Sequence, residues 1–434
     1  MTDVTPHLGR RERLIRSLGD GIAILPTAPE QHRNGDAHYP YRFDSSFYYL
    51  TGFAEPEAVL VLDASNGRSV LFCREKNLER EIWDGFRHGP EGAREAFGFD
   101  EAWPIDEFDA RLPDLLANRD TLHYGFGRDA AFDTRINAAL NTVRARFRTG
   151  VTAPTVLKDV HALVHEMRLV KDEHEIALMR EAARLSAAGH VAAMRAARPG
   201  RHEYQVEAEI LRTFIAGGAR YPSFESIVAG GANATTLHYV GNGSVLRDGD
   251  LLLIDAGCEY QGYAGDISRT FPVNGTFSGP QRDLYQVVLA ANQAAIDALA
   301  PGVRWNVPAD AALAVQVRGL IDLGLLQGSV DGNIESEAYR QFYMHRIGHW
   351  LGIDVHDVGD YKIDGEWREY HPGMVTTVEP GLYVRPADNV PEAFWNIGIR
   401  IEDDVLLTAS GHEVLSGDVP KSVEAVEALL AERD

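Results

Sequence analysis

The stretch LLLIDAGCEYQGYAGD, residues 251–266, restricts the fold more than any other part of the chain. Four aliphatic residues lead directly into Asp255, and a second carboxylate, Asp266, follows a polar, glycine-bearing segment. The aliphatic run reads as a buried strand and the segment after it as a turn into a returning strand. With the turn centred on Tyr260-Gln261, Asp255 and Asp266 are expected to face each other, about 5 Å apart at Cβ. Tyr-Gln is not a favoured two-residue turn, so a wider loop or bulge is expected and the pairing is approximate. Two carboxylates so placed raise each other's pKa unless a cation neutralises them. The plainer alternative is a solvated hairpin rim, but the four aliphatic residues argue for burial.

Other segments repeat the theme. RDGDLLLIDAG and HPGMVTTVEPG share a glycine turn, a strand and an acid at its far end, aligning Gly249, Asp255 and Gly257 with Gly373, Glu379 and Gly381. The pattern suggests two related halves that each bring an acid to a central cleft. In NIGIRIEDD, Ile397, Ile399 and Ile401 alternate with Gly398, Arg400 and Glu402, which places Arg400 and Glu402 on one strand face. Taken alone, that stretch reads as a surface ion pair beside a half-buried strand. YMHRIGHWLGIDVHDVG carries His345, His349 and His356; Arg346 stands where a zinc-protease helix needs glutamate, and Gly348 and Gly352 favour a loop. His238, in TTLHYV, is a fourth histidine candidate, whereas VAGGANA lacks the lysine and spacing of a phosphate loop and reads as turns.

These motifs sit in a chain of 434 residues, long enough for two domains. The first third carries a hairpin signal at Asn66-Gly67 between AVLVLD and RSVLFC, and helical spacing in FDARLPDLLANRD and TRINAALNTVRARF. Beyond residue 165 a long helix is expected, with Asp172 and Glu175 as its cap, Ile176, Met179, Ala183, Ala187 and Met194 as its stripe, and Pro199-Gly200 as its stop. A second helix is expected over HEYQVEAEILRTFIAGG. The formal charge of −22 argues against nucleic acid or an anionic membrane as partner. With two cysteines, Cys73 and Cys258, no disulfide framework exists, and a reducing cytoplasm is the expected setting. No apolar run is long enough to span a bilayer.

LIDAGCEYQGYAGDISRTFPVNG, HWLGIDVHDVG, TVEPGLY and GIRIEDD, with AHYPYRFDSSFYYLTGFAEPEAVLVL near the start, together resemble the pita-bread metallopeptidases, and among them aminopeptidase P. The likeness spans nearly the whole chain. It implies an α/β (α+β) protein: an N-terminal mixed α/β domain of the creatinase/aminopeptidase P type, residues 1–165, then a catalytic pita-bread domain with pseudo-twofold halves, 166–434. By the same resemblance Asp255, Asp266, His349, Glu379 and Glu402 bind two divalent metals. Oxygen and imidazole ligands without thiolate suit manganese, cobalt or iron, with zinc as an alternative; the family puts manganese first. Ions ~3.5–4 Å apart are expected to hold a hydroxide against the scissile carbonyl. Glu379 is the expected proton shuttle, with His238, His356 and Arg400 completing the catalytic group. His345, Tyr383, Phe224 and Tyr221 are expected on the substrate side. Two departures stand out: Phe224 where relatives can have tyrosine, and Phe86 where relatives often have arginine.

The expected activity is release of the first residue from peptides with proline second, in a homo-oligomer, dimer or tetramer. A Xaa-Pro dipeptidase of the same fold is the nearest rival. Methionine aminopeptidases normally lack so large an N-terminal domain. Metal-free binding modules of this fold have lost ligands that are all present here.

Overall fold

Aliphatic runs form the central strands of the first unit, residues 1–168. A computed structural model describes residues 4–433. Six strands, β1 (Ile22–Pro26), β2 (Val59–Asp63), β3 (Arg68–Cys73), β4 (Glu101–Pro104), β5 (Thr121–His123) and β6 (Val156–Lys158), make one sheet ordered β4-β3-β2-β1-β5-β6. It is mixed: β1–β2 and β2–β3 are antiparallel, while β1–β5, β3–β4 and β5–β6 are parallel. The expected hairpin closes with Asp63 opposite Arg68, so its loop also takes in Ala64 and Ser65. Helices Phe108–Leu116 and Ala130–Ala145 bury Leu112, Leu116, Ile136 and Leu140 in one core with Ile24, Val61 and Phe72.

The second unit, residues 169–434, is built twice over from a helix pair followed by an antiparallel sheet. Its first helix, Glu173–Ala196, begins at a complete capping box between Asp172 and Glu175. Ile176, Met179, Ala183, Ala187 and Met194 are all buried, as the stripe requires. Helix Glu203–Ala216 follows, then a sheet ordered β7 (Ile227–Gly230), β8 (Leu251–Ala256), β11 (Ile267–Pro272), with β9 (Cys258–Tyr260) and β10 (Tyr263–Ala264) forming the hairpin tip. In the second half, helices Gly279–Asp297 and Asn306–Asp322 precede β12 (Val375–Val378), which pairs with β15 (Asp403–Thr408) and through it with β16 (Gly411–Val414). Between them β13 (Gly381–Val384) pairs with β14 (Ile397–Arg400).

The glycines of the repeat have a steric basis. Gly249 and Gly373 enter their strands at φ +88° and +87°, in the left-handed region that glycine tolerates. A Cβ on Gly257 would lie 1.7 Å from the Gly265 carbonyl oxygen, and one on Gly381 would lie 2.5 Å from the Tyr383 hydroxyl. Side chains are excluded where each ligand strand turns.

Three expectations need correction. Asp255 pairs with Ser268, not Asp266, because the turn is centred on Gln261-Gly262, with φ +48° and +88°. Glycine carries the second positive φ that such a tight turn demands. Asp266 falls outside the strands, in the irregular step between β10 and β11. VAGGANA is not turns throughout: Val228 to Gly230 continue β7, and Gly231–Thr235 is a 3-10 helix. The NIGIRIEDD strand stops at Arg400, and both of its faces are buried, so Arg400 and Glu402 are core groups rather than a surface pair.

Candidate metal centre and peptide cavity

Asp255 from β8, Asp266 after β10, His349 from a loop, Glu379 after β12 and Glu402 after β14 all line one cavity of about 580 Å³. At its base, Asp266, His349 and Glu402 bring one ligand atom each within 4.8 Å of one another. The His349 ring is held in one tautomer: its Nδ1–H donates to the Trp350 carbonyl at 3.0 Å, since a carbonyl can only accept. Its bare Nε2 therefore faces Asp266 Oδ2 at 3.4 Å and Glu379 Oε1 at 3.9 Å. With these acids ionised, lone pairs face lone pairs and repel, a conflict that a bound cation or a proton resolves. Asp255 Oδ1 and Asp266 Oδ1 are buried and lack a hydrogen-bond partner among the described residues. An oxygen-rich set with one properly turned imidazole and no thiolate fits a hard or borderline divalent cation.

The electrostatics point the same way. Burial, and then repulsion from Glu402 and Asp255, raises the Asp266 carboxyl well above the usual range. Glu402 is raised for the same reasons, burial first and then Glu379 and Asp255. Burial raises Glu379 to about 8, with Asp255 adding to the rise and Arg400 opposing it. Burial lowers His349 to about 4, which keeps its Nε2 free for a metal.

Arg400 supplies internal charge balance and orientation. Its Nη2 donates to Asp255 Oδ2 at 2.6 Å, its Nη1 to the Tyr383 hydroxyl at 2.9 Å and its Nε to Ser268 Oγ at 2.9 Å. Ser268 then donates to Glu402 Oε2 at 2.8 Å, so one guanidinium orients two of the acids. His345 Nδ1–H donates to the Arg346 carbonyl, leaving Nε2 to accept from the Tyr383 hydroxyl at 2.9 Å. Burial keeps both neutral, lowering His345 to about 4 and raising Tyr383 to about 12.

Above this base the cavity wall is formed by Phe224, Ile227, Leu237, Val240 and Val355, together with His238 and His356. The His356 ring stands edge-on to His349, 4.4 Å between centroids. An apolar wall beside a cluster of acids can seat a small ring while drawing a cationic amino group inward.

Known proteins divide the chain in the same way. Residues 177–409 match Metallopeptidase family M24, and residues 7–124 match the aminopeptidase P N-terminal domain. The Xaa-Pro aminopeptidase of Escherichia coli (strain K12) is 46% identical over 97% of this chain and 96% of its own length.

The chain belongs to metallopeptidase family M24, as an aminopeptidase P.

The solved structure of the Pseudomonas aeruginosa aminopeptidase PepP superposes with a TM-score of 0.98 at 48% identity, covering 99% of this chain and 98% of that one. The zinc-substituted E. coli aminopeptidase P in complex with product gives 0.96 at 45% identity, over 99% and 98% of the two chains. The Escherichia coli and Haemophilus influenzae relatives, 46% and 44% identical through both units, are Xaa-Pro aminopeptidases, which decides between that activity and the dipeptidase alternative. Among the described residues no helix is long and apolar enough to cross a membrane.

In this aminopeptidase P chain two of the four residues expected on the substrate side are not among the cavity-lining residues: Tyr383 is buried and bonded to His345 and Arg400, and Tyr221 lies elsewhere. Tyr221 does not line the cavity; it lies on a short exposed strand paired with β9, with Arg220 over its ring at 5.9 Å. The strand's period explains this, since it carries Tyr221 away while the chain then bends to bring Phe224 into the wall. Three contributors escaped the sequence reading: Ser268, the link between Arg400 and Glu402; Asp404, which accepts from the Asp266 backbone N–H at 3.1 Å; and the apolar wall residues other than Phe224. Ser268 alone left a signal, as a small hydroxyl residue two positions after Asp266 in the strand Ile267–Pro272.

Proposed function

We propose that Asp255, Asp266, His349, Glu379 and Glu402 together hold a pair of divalent ions, manganese first. With them bound, the cavity releases the N-terminal residue from peptides whose second residue is proline. The supporting observation is the bare His349 Nε2 facing Asp266 Oδ2 and Glu379 Oε1, in a cluster where the buried Asp255 Oδ1 and Asp266 Oδ1 lack a hydrogen-bond partner among the described residues. When bound, such ions supply positive charge that polarises the scissile carbonyl and makes hydroxide available near neutral pH.

The chain's own groups do the rest. The free α-amino group of the peptide is drawn to the acid cluster, which favours cleavage at the first bond. Glu379 reaches into the cavity with Oε2 3.7 Å from His345 Nδ1. It carries the water proton across to the proline nitrogen, a secondary amine that leaves only once protonated. His238 and His356, both exposed to the cavity, donate to the substrate carbonyl and to the oxyanion that forms there. Tyr383 and Arg400 hold Asp255 and His345 in register. The proline ring, with fixed φ and no N–H, fits the recess made by Phe224, Leu237, Val240 and His345. We place the enzyme in the cytoplasm, as a homodimer or homotetramer.

The test is cleavage of Xaa-Pro-Yaa, longer Xaa-Pro peptides and Xaa-Pro dipeptides with added manganese. Longer peptides should be cleaved at least as efficiently as dipeptides, and alanine in place of proline should lower kcat/KM strongly. Cleavage of dipeptides alone would overturn the assignment.

A further inference from the structure

Glu203 opens helix Glu203–Ala216 and is completely buried, yet it takes no part in the metal centre. A buried carboxylate is tolerated only when its lone pairs are filled, and here all four donors come from one stretch of chain. Oε1 accepts from the Gly230 N–H at 2.8 Å and from Asn233 Nδ2 at 2.9 Å. Oε2 accepts from the Tyr239 hydroxyl at 2.8 Å and from the Ser244 N–H at 2.8 Å. The helix N-terminus adds a favourable field for the charge.

Those donors bracket His238. Gly230 ends β7, Ser244 lies near the return to the sheet, and Tyr239 is the neighbour of His238. Between them the chain has only the 3-10 turn Gly231–Thr235. The His238 ring is exposed and has no hydrogen bond of its own to the described residues, so its position follows from the backbone beneath it. Leu237 and Val240, on either side, line the cavity; Leu237 and Tyr239 also pack against a cluster containing Tyr383.

We infer that Glu203 is a positioning residue: its carboxylate fixes the 230–244 stretch from four points and thereby sets where His238, Leu237 and Val240 meet the substrate. The inference rests on His238 being a substrate contact. Glu203 acts on the reaction only through that stretch, without touching substrate or metal. An amide in place of this carboxylate cannot satisfy the site, because its nitrogen is a donor and meets either the Ser244 or the Gly230 N–H.

The test is a double-mutant cycle on the manganese-loaded enzyme with a Xaa-Pro-Yaa peptide. Glu203→Gln should lower kcat/KM about 10- to 100-fold, since displacing a positioned group by about 1 Å can cost about 100-fold. Manganese affinity by calorimetry should stay within about twofold. In a His238→Ala background the same Glu203→Gln change should cost less than about threefold, because the group it positions is gone. Equal losses in both backgrounds, or wild-type kinetics with only a lowered Tm, would overturn the inference. Wild-type kinetics for His238→Ala alone would instead refute the His238 reading, and the inference with it. Tyr239→Phe, which removes one hydrogen bond and no charge, repeats the cycle if Glu203→Gln fails to fold; it should show a smaller loss that is likewise absent without His238.

Discussion

Removing the metals should make this protein less stable as pH rises, in a window that can be worked out from the site. Glu379 has a folded pKa near 8 against an ordinary value of 4.5, with burial as the chief cause. Because its folded pKa is the higher one, the stability it contributes is complete below the unfolded value and is lost as pH climbs towards 8. His345 and His349, lowered by burial from 6.5 to about 4, have the opposite sense: their contribution is lost as pH falls below 6.5. The two effects oppose each other on the acid side, so the clean window runs from pH 6.5 to 8. Across it, at about 1.36 kcal/mol per pH unit, Glu379 alone accounts for a loss of about 2 kcal/mol. Asp266 and Glu402, also raised by burial, act in the same direction. For a unit of this size that is a fall in Tm of ~5 °C. Scanning fluorimetry on chelator-treated protein at pH 6.5 and 8, beside manganese-reloaded protein, measures it. The reloaded protein should be more stable throughout and nearly flat across the window, because the carboxylates are then committed to cations. A flat chelated protein, or equal slopes in both forms, would refute the reasoning.

Two further predictions separate the metal ligands from the groups around them. Asp266→Asn and Glu402→Gln should each abolish stoichiometric metal binding and lower activity by more than about 100-fold, whereas His356→Ala should reduce kcat with metal content retained, as elemental analysis and kinetics together will show. Ser268→Ala, which breaks the link from Arg400 to Glu402, should weaken manganese affinity by about 10-fold in a calorimetric titration and leave the fold intact by circular dichroism.

Much of the site was legible because its chemistry is written in short motifs. Asp255 and Glu379 stand at the ends of buried strands flanked by glycines, and the glycines are needed for reasons local to each strand: no Cβ fits at Gly257 or Gly381. The long helix was equally plain, since its capping box and apolar stripe are properties of nearby residues. Register was not legible. A turn centred one residue later moved the partner of Asp255 from Asp266 to Ser268, because the whole pairing shifts with the turn that closes it. Tyr221 and Phe224, three positions apart, could not be sorted into surface and wall from the sequence, since the bend between them depends on pairing with β9.

By itself the sequence determined which residue types could converge: five ligand-type side chains, each at the end of its own strand or in a glycine-punctuated loop. Only the tertiary structure decided how their charges are managed. Arg400, which taken alone reads as half of a surface pair, is buried against Asp255 and reaches Glu402 through Ser268. Glu203, which reads only as an early residue of a helix, gathers four donors from the stretch that carries His238. Both roles depend on contacts between segments distant along the chain. A linear pattern records the chemistry of each segment, but the burial that turns a charged side chain into a clamp exists only once those segments pack together.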